Sequence, residues 1–166
     1  MAGTWNRRAA LLMARAAFGS IAVWIAVTTL LRAAGGGLLW TALDLPFRLV
    51  CHRIPERVIS IAGTPMPLCS RCAGLWLGAS ISAALAWPVL PLRALRIVLP
   101  AAMALMAIEV LTQDLGLHPV FHPTRLLSGL LVSVPLGGAI GGIITRELGG
   151  AAAPVDRSPE HTEPRA

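Results

Sequence analysis

The sequence predicts an all-α, polytopic membrane protein, with about four transmembrane helices in a compact bundle and a Cys/His-containing loop at one membrane face. Three observations predict it. The mean hydropathy is +0.71, and 55% of the 166 residues are apolar against 13% charged, where soluble chains carry about 25% charged residues. Four long apolar runs alternate with short polar connections. The scarce reactive residues gather in one stretch, CHRIPERVISIAGTPMPLCSRCAGLWLG, from Cys51 to Gly78, which holds all 3 cysteines.

The first apolar run, about 16–31, lies between Arg15 and Arg32. It is slightly short for a hydrocarbon core about 30 Å thick, but both arginines can snorkel and extend it. A cleaved signal is the rival, suggested by Arg7-Arg8. It is disfavoured because Arg32 closes the apolar run and no small-x-small cleavage site follows. Gly35-Gly36-Gly37 interrupts the chain, and 38–50 reads as a short amphipathic segment in the interface, with Asp44 and Arg48 paired at i,i+4. The motif loop 51–72 follows, punctuated by Pro55, Gly63, Pro65 and Pro67.

Further helices are expected at about 73–92, 97–115 and 125–145. Trp87 serves as an interfacial anchor near the end of the first of these. Residues 1–146 form a single transmembrane domain, and the polar, proline-containing stretch 147–166 is expected to be a disordered tail. Gly74 and Gly78, and Gly137, Gly138, Gly141 and Gly142, provide small-residue faces that let helices approach closely in lipid.

The net charge of +6 comes from arginine alone, since the chain contains no lysine. These arginines form no single stripe, which argues against nucleic acid. The implied partner is the lipid bilayer. A homo-oligomer is compatible with the composition, and no protein partner is indicated. The expected location is the cell membrane as a multi-pass protein, a bacterial inner membrane. Arginines flanking the two faces are equal in number, so the positive-inside count is a tie. The amino terminus is placed inside because the loop arginines have a role in the site.

Four helices with short connections place the cysteine loop and the 118–123 loop at the same face. Glu109 lies roughly 18 Å into its helix, in the half of the bilayer nearer that face. Cys51, His52, Arg53, Arg57, Cys69, Arg71, Cys72, Glu109, Gln113 and Arg125 are thereby expected to converge. An intramembrane carboxyl is costly and points to function, or else pairs with an arginine to lock the bundle.

Cys69-Ser70-Arg71-Cys72 has the spacing both of metal knuckles and of redox dithiols. Cys51 adds a third sulfur and His52 a nitrogen, so Cys51, His52, Cys69 and Cys72 form the candidate metal set, for zinc or iron. Adjacent residues such as Cys51 and His52 rarely share one ion. Three thiolates with water, Glu109 or His52 in the fourth position is therefore the favoured shell, and an open position is a catalytic feature. The candidates for catalysis are Glu109, Arg57 and Arg125, with no reaction assigned. Two alternatives stand beside the metal site: thiol-disulfide exchange by Cys69 and Cys72, and a small transporter or accessory subunit relying on Glu109. In a further reading the cysteines are simply small buried apolar residues. A covalent haem is disfavoured because Ala73, not histidine, follows Cys72. His118 and His122 sit beside prolines that disfavour the helix needed for chelation, and His161 lies in the tail.

Cys51, His52, Arg57, Gly63, Pro67, Cys69, Arg71, Cys72 and Gly74 together resemble the signature of the prokaryotic membrane proteins grouped as domain of unknown function 2085. Glu109, Gln113, Arg125 and Gly129 extend the likeness, which covers about 50–136. Val58-Ile59, Trp76 and His122 depart from the usual Ser-Phe, Tyr and Asn. The resemblance implies a shared site and names no activity or metal.

Overall fold

The computed structural model describes residues 2–149. The elements are α1 (Ala2–Ala33), α2 (Leu38–Val50), a 3-10 turn (Pro55–Arg57), β1 (Val58–Ile61), β2 (Thr64–Cys69), α3 (Ser70–Leu85), α4 (Leu92–Asp114) and α5 (His122–Gly149). The expected tail begins inside α5, which continues to Gly149. The remainder, 150–166 with His161, lies outside the described residues.

Among the described residues, three helices are long and apolar enough to cross a bilayer: Asn6–Ala33, Leu92–Asp114 and His122–Leu148. The first begins earlier than hydropathy suggested, because residues 4–18 contain neither glycine nor proline and are rich in alanine, the strongest helix former. The helix expected at about 73–92 is instead Ser70–Leu85, 16 residues or roughly 24 Å. It ends where Ala86 turns left-handed at φ 52° and its N–H caps the carbonyls of Ala83 and Ser82, and Pro88 and Pro91 follow. The fifth helix starts at His122 rather than 125, since Pro123 is tolerated in a first turn.

The segment 51–72, expected as a loop, contains a two-stranded antiparallel hairpin. Ile61 pairs with Thr64, leaving Ala62 and Gly63 as the connecting residues at φ 50° and 78°. Two positive φ values make the mirror-image turn that suits a tight hairpin, and glycine is at ease there.

Helices α3 and α5 run side by side in the same direction. A methyl group built on Gly74 would strike the Leu126 carbonyl, and one on Gly129, Gly137 or Gly141 would strike the carbonyls of Arg71, Ala79 or Ala83. The Ser133 hydroxyl donates to the Gly74 carbonyl at 3.1 Å. Gly78 and Gly138 are equally crowded, by Ser133 and Pro88, whereas Gly142 faces open space. Helix α1 lies antiparallel to α3, with Arg15 donating to the Thr145 hydroxyl at one end and Arg32 to the Pro65 carbonyl at the other.

The buried cluster lies toward this second end. Ile25, Phe47, Cys51, Leu68 and Ala73 form it, with Trp24 packed against them. The Trp24 and Phe47 rings sit 5.2 Å apart, and the Trp24 indole N–H donates to the Leu43 carbonyl at 3.1 Å. This cluster ties α1, α2, β2 and α3 together beneath the cysteines. The outer faces of α1, α4 and α5 expose large apolar side chains such as Leu30, Ile97, Ile108 and Ile143, the arrangement that suits a lipid solvent.

Candidate metal centre

Each cysteine is delivered by a different local device. Cys51 is the C-cap of α2, in extended conformation. Cys69 closes β2 and caps the amino end of α3, and Cys72 lies in the first turn of that helix. Their sulfurs all lie within 4.8 Å of one another, and no disulfide joins them. The Cys69 amide donates to the Cys51 sulfur at 3.3 Å, an orienting contact that favours a thiolate. The unpaired N–H groups and positive dipole end of α3 act in the same sense. Hydrogen bonding with Cys51, and then with Cys72, holds the Cys69 thiol well below its ordinary value against the opposing effect of burial.

The sulfurs line a cavity of about 350 Å³ together with His52, Arg53, Arg57, Arg71 and Arg125. His52 is exposed and its ring nitrogens lie outside the three-sulfur cluster.

Behind the cavity, ion pairs fix the arginines. Arg71 is bonded to Glu109, which also accepts from the Ser128 hydroxyl at 3.3 Å. Arg57 meets Asp114 at 2.7 Å. Arg53 grips the fully buried Asp44 through both oxygens, at 2.5 and 2.7 Å. Burial pushes the Asp44 carboxyl up, but hydrogen bonds from Arg53 and Arg48 outweigh that and hold it below its ordinary value.

Arg125 differs from these. It is 1% exposed and is bonded to Gln113 and, at 3.1 Å, to the Ser70 hydroxyl. Among the described residues no carboxylate lies within ion-pair distance of it. The site thus contains a buried cation with only neutral partners.

The residues expected to converge therefore divide between the cavity wall and its support. Glu109 and Gln113 act through Arg71 and Arg125. His118 bonds the Thr112 hydroxyl at 2.9 Å and, like His122, is not part of the sulfur cluster. Sequence reasoning missed Asp114, Ser70 and Ser128, and paired Asp44 with Arg48 alone. The i,i+4 spacing reveals the Arg48 contact, at 3.0 Å, but no periodicity links Asp44 to Arg53.

Residues 51–138 match the family model described as predicted membrane protein, DUF2085. The chain belongs to this family of predicted membrane proteins. The matched span begins at Cys51 and includes all three cysteines, Arg57, Arg71, Glu109, Gln113 and Arg125, together with most of the α3 and α5 glycines. An uncharacterised protein of Methanothermobacter thermautotrophicus is 58% identical over 33 residues, 20% of this chain and 30% of that protein. An uncharacterised protein of Methanocaldococcus jannaschii is 29% identical over 89 residues, 51% of this chain and 57% of its own length. The chain thus covers less than two thirds of either relative. No solved structure matches the chain.

Proposed function

We propose that Cys51, Cys69 and Cys72 bind one zinc or iron ion at a face of the membrane, as three thiolates around an ion with an open fourth position. The observation that carries this reading is the mutual approach of the three sulfurs within 4.8 Å. Tetrahedral coordination at about 2.3 Å per bond places sulfurs roughly 3.8 Å apart, so small side-chain shifts close the shell. Charge supports it too: three thiolates and a divalent ion leave one negative charge, which matches the buried Arg125 cation that has no carboxylate partner.

The cavity side of the ion is left for water or His52. Glu109 is the weaker candidate, because its carboxylate lies outside the three-sulfur cluster and is paired with Arg71. A bound metal would supply a Lewis acid at this position. His52 and Arg57, on the cavity wall, would orient what reaches it, and the apolar bundle beneath would exclude water.

In this reading α3 is a fourth, short span, packed through its glycines within a compact bundle. The protein is then multi-pass in the cell membrane with its amino terminus inside.

Adding cobalt(II) to metal-free full-length protein in detergent tests the site. Intense sulfur-to-cobalt charge-transfer absorption, absent in Cys51→Ser, supports it. No such absorption together with a Cys69–Cys72 disulfide favours the thiol-exchange alternative.

A further inference from the structure

A second cavity, of about 420 Å³, lies between the end of α1, the body of α2 and the hairpin. It shares Arg53 with the cysteine site but opens among different groups: Arg32, Trp40, Arg48, Ser60 and Pro65. Its charge is unbalanced. Arg48 and Arg53 share one carboxylate, Asp44. Among the described residues no carboxylate pairs with Arg32, which donates to the Pro65 carbonyl and stacks its guanidinium 5.1 Å from the centre of the Trp40 ring. Three guanidiniums against one carboxylate leave two positive charges in excess.

Donors in the cavity wall are also left over. Arg53 Nε and Trp40 Nε1 are buried without a hydrogen-bond partner among the described residues. Buried donors are normally satisfied by protein, water or a ligand, and guanidiniums fork naturally onto phosphate oxygens.

The position of the cavity indicates the source of such an anion. Arg32 lies in the last turn of α1, a candidate membrane span, at its boundary. The neighbouring α2 exposes Leu38 at 88% and Leu49 at 83%, with Leu45 on the same side. Leucines at spacings of seven and four form one apolar stripe. A short helix with such a stripe lies in the headgroup region, its apolar side in the acyl boundary. The cationic cavity is then level with lipid phosphates.

We infer that the cleft lined by Arg32, Arg48, Arg53 and Trp40 binds a phosphate group, that of an anionic phospholipid at the same membrane face as the cysteine site. The site does not depend on a metal. A bound headgroup would hold α1, α2 and the hairpin together.

The test uses calorimetry on the full chain in a neutral detergent, titrated with short-chain phosphatidylglycerol, short-chain phosphatidylcholine and inorganic phosphate. Phosphatidylglycerol is expected to bind, with the zwitterionic lipid weaker. Arg32→Gln and Arg48→Gln are each expected to weaken binding about fivefold, the effect of one basic side chain at an anionic surface. Arg48→Lys should restore most of it. Arg48→Gln leaves Asp44 paired with Arg53, so it keeps the fold even where Arg32→Gln does not. Inorganic phosphate matching phosphatidylglycerol in affinity supports the phosphate site with free phosphate as the source; weaker phosphate binding supports the lipid. Equal affinity for the two lipids, no binding of any anion, or binding unchanged in Arg48→Gln would overturn the inference. Metal content, measured on the same samples, should be unaltered by Arg48→Gln, so failure here is separable from failure of the cysteine site.

Discussion

The Cys69 amide donates to the Cys51 sulfur at 3.3 Å, joining the end of α2 to the start of α3 across 18 residues of sequence. That contact places the third sulfur beside the Cys-x-x-Cys pair. It makes the metal reading a statement about two elements, not one motif. Cys51→Ser should therefore lower metal affinity by an order of magnitude or more, and Cys69→Ser and Cys72→Ser should do the same. Competition with a chromophoric chelator measures this. An unchanged affinity in Cys51→Ser would restrict the site to the Cys69–Cys72 pair.

Arg125 is the charge complement of the proposed thiolate site. Arg125→Gln should weaken metal binding about tenfold, in the range found for groups that support a metal shell without touching the ion. Chelator competition on the variant checks it, with Arg125→Lys expected to recover part of the loss. No change in affinity would mean that this cation balances some other anion.

Glu109 and Arg71 form a half-buried ion pair between α4 and α3. Glu109→Gln leaves Arg71 without its counterion, and a stability loss of about 3 kcal/mol follows from stranding a charge in a poorly solvated place. Metal stoichiometry should stay near wild type. Thermal unfolding and elemental analysis of the same preparation separate this locking role from the transporter reading, in which stability would hold and only transport would fail.

Asp44 supplies a pH dependence. Its carboxyl is held below the ordinary value of 3.8, so the folded protein binds its proton less readily than the unfolded chain does. The stabilisation is then fully present above about pH 4 and is lost as the pH falls through the depressed folded value. Asp44→Asn should cost about 3 kcal/mol near neutrality, because Arg53 loses a bidentate partner. Its stability should fall less steeply than wild type on acidification. Unfolding curves between pH 7 and pH 3 compare the two.

The glycine contact between α3 and α5 gives a paired prediction. Gly129→Ala forces a methyl against the Arg71 carbonyl and the Leu75 amide, and overpacking of this kind costs about 1–3 kcal/mol. Gly142→Ala meets open space and should leave stability unchanged or raise it by up to about 1 kcal/mol, since alanine is the better helix former. Equal effects on melting temperature would contradict the close helix approach.

Much of this arrangement was legible because hydropathy and connection length carry it. Apolar runs locate α1, α4 and α5, and alternating helix directions are enough to bring Cys51, Cys69, Arg71, Glu109 and Arg125 to one end of the helices. The hairpin was hidden by Pro65 and Pro67, which argue against a strand, although Pro65 is accommodated opposite Ser60 in a ladder of only two strands. The early end of α3 was hidden because Ala86 and Trp87 are as apolar as the helix before them, and hydropathy does not register a left-handed cap. Asp44 with Arg53, and Arg57 with Asp114, are pairings set by tertiary approach, for which sequence spacing holds no signal.

Elemental analysis of the full-length protein, purified in detergent beside its Cys51/Cys69/Cys72→Ser variant, decides whether the three cysteines hold a metal. About one zinc or iron per chain in the wild type, and none in the variant, is the predicted result. A wild-type protein that carries neither metal, and whose three thiols all react freely without denaturant, would contradict it.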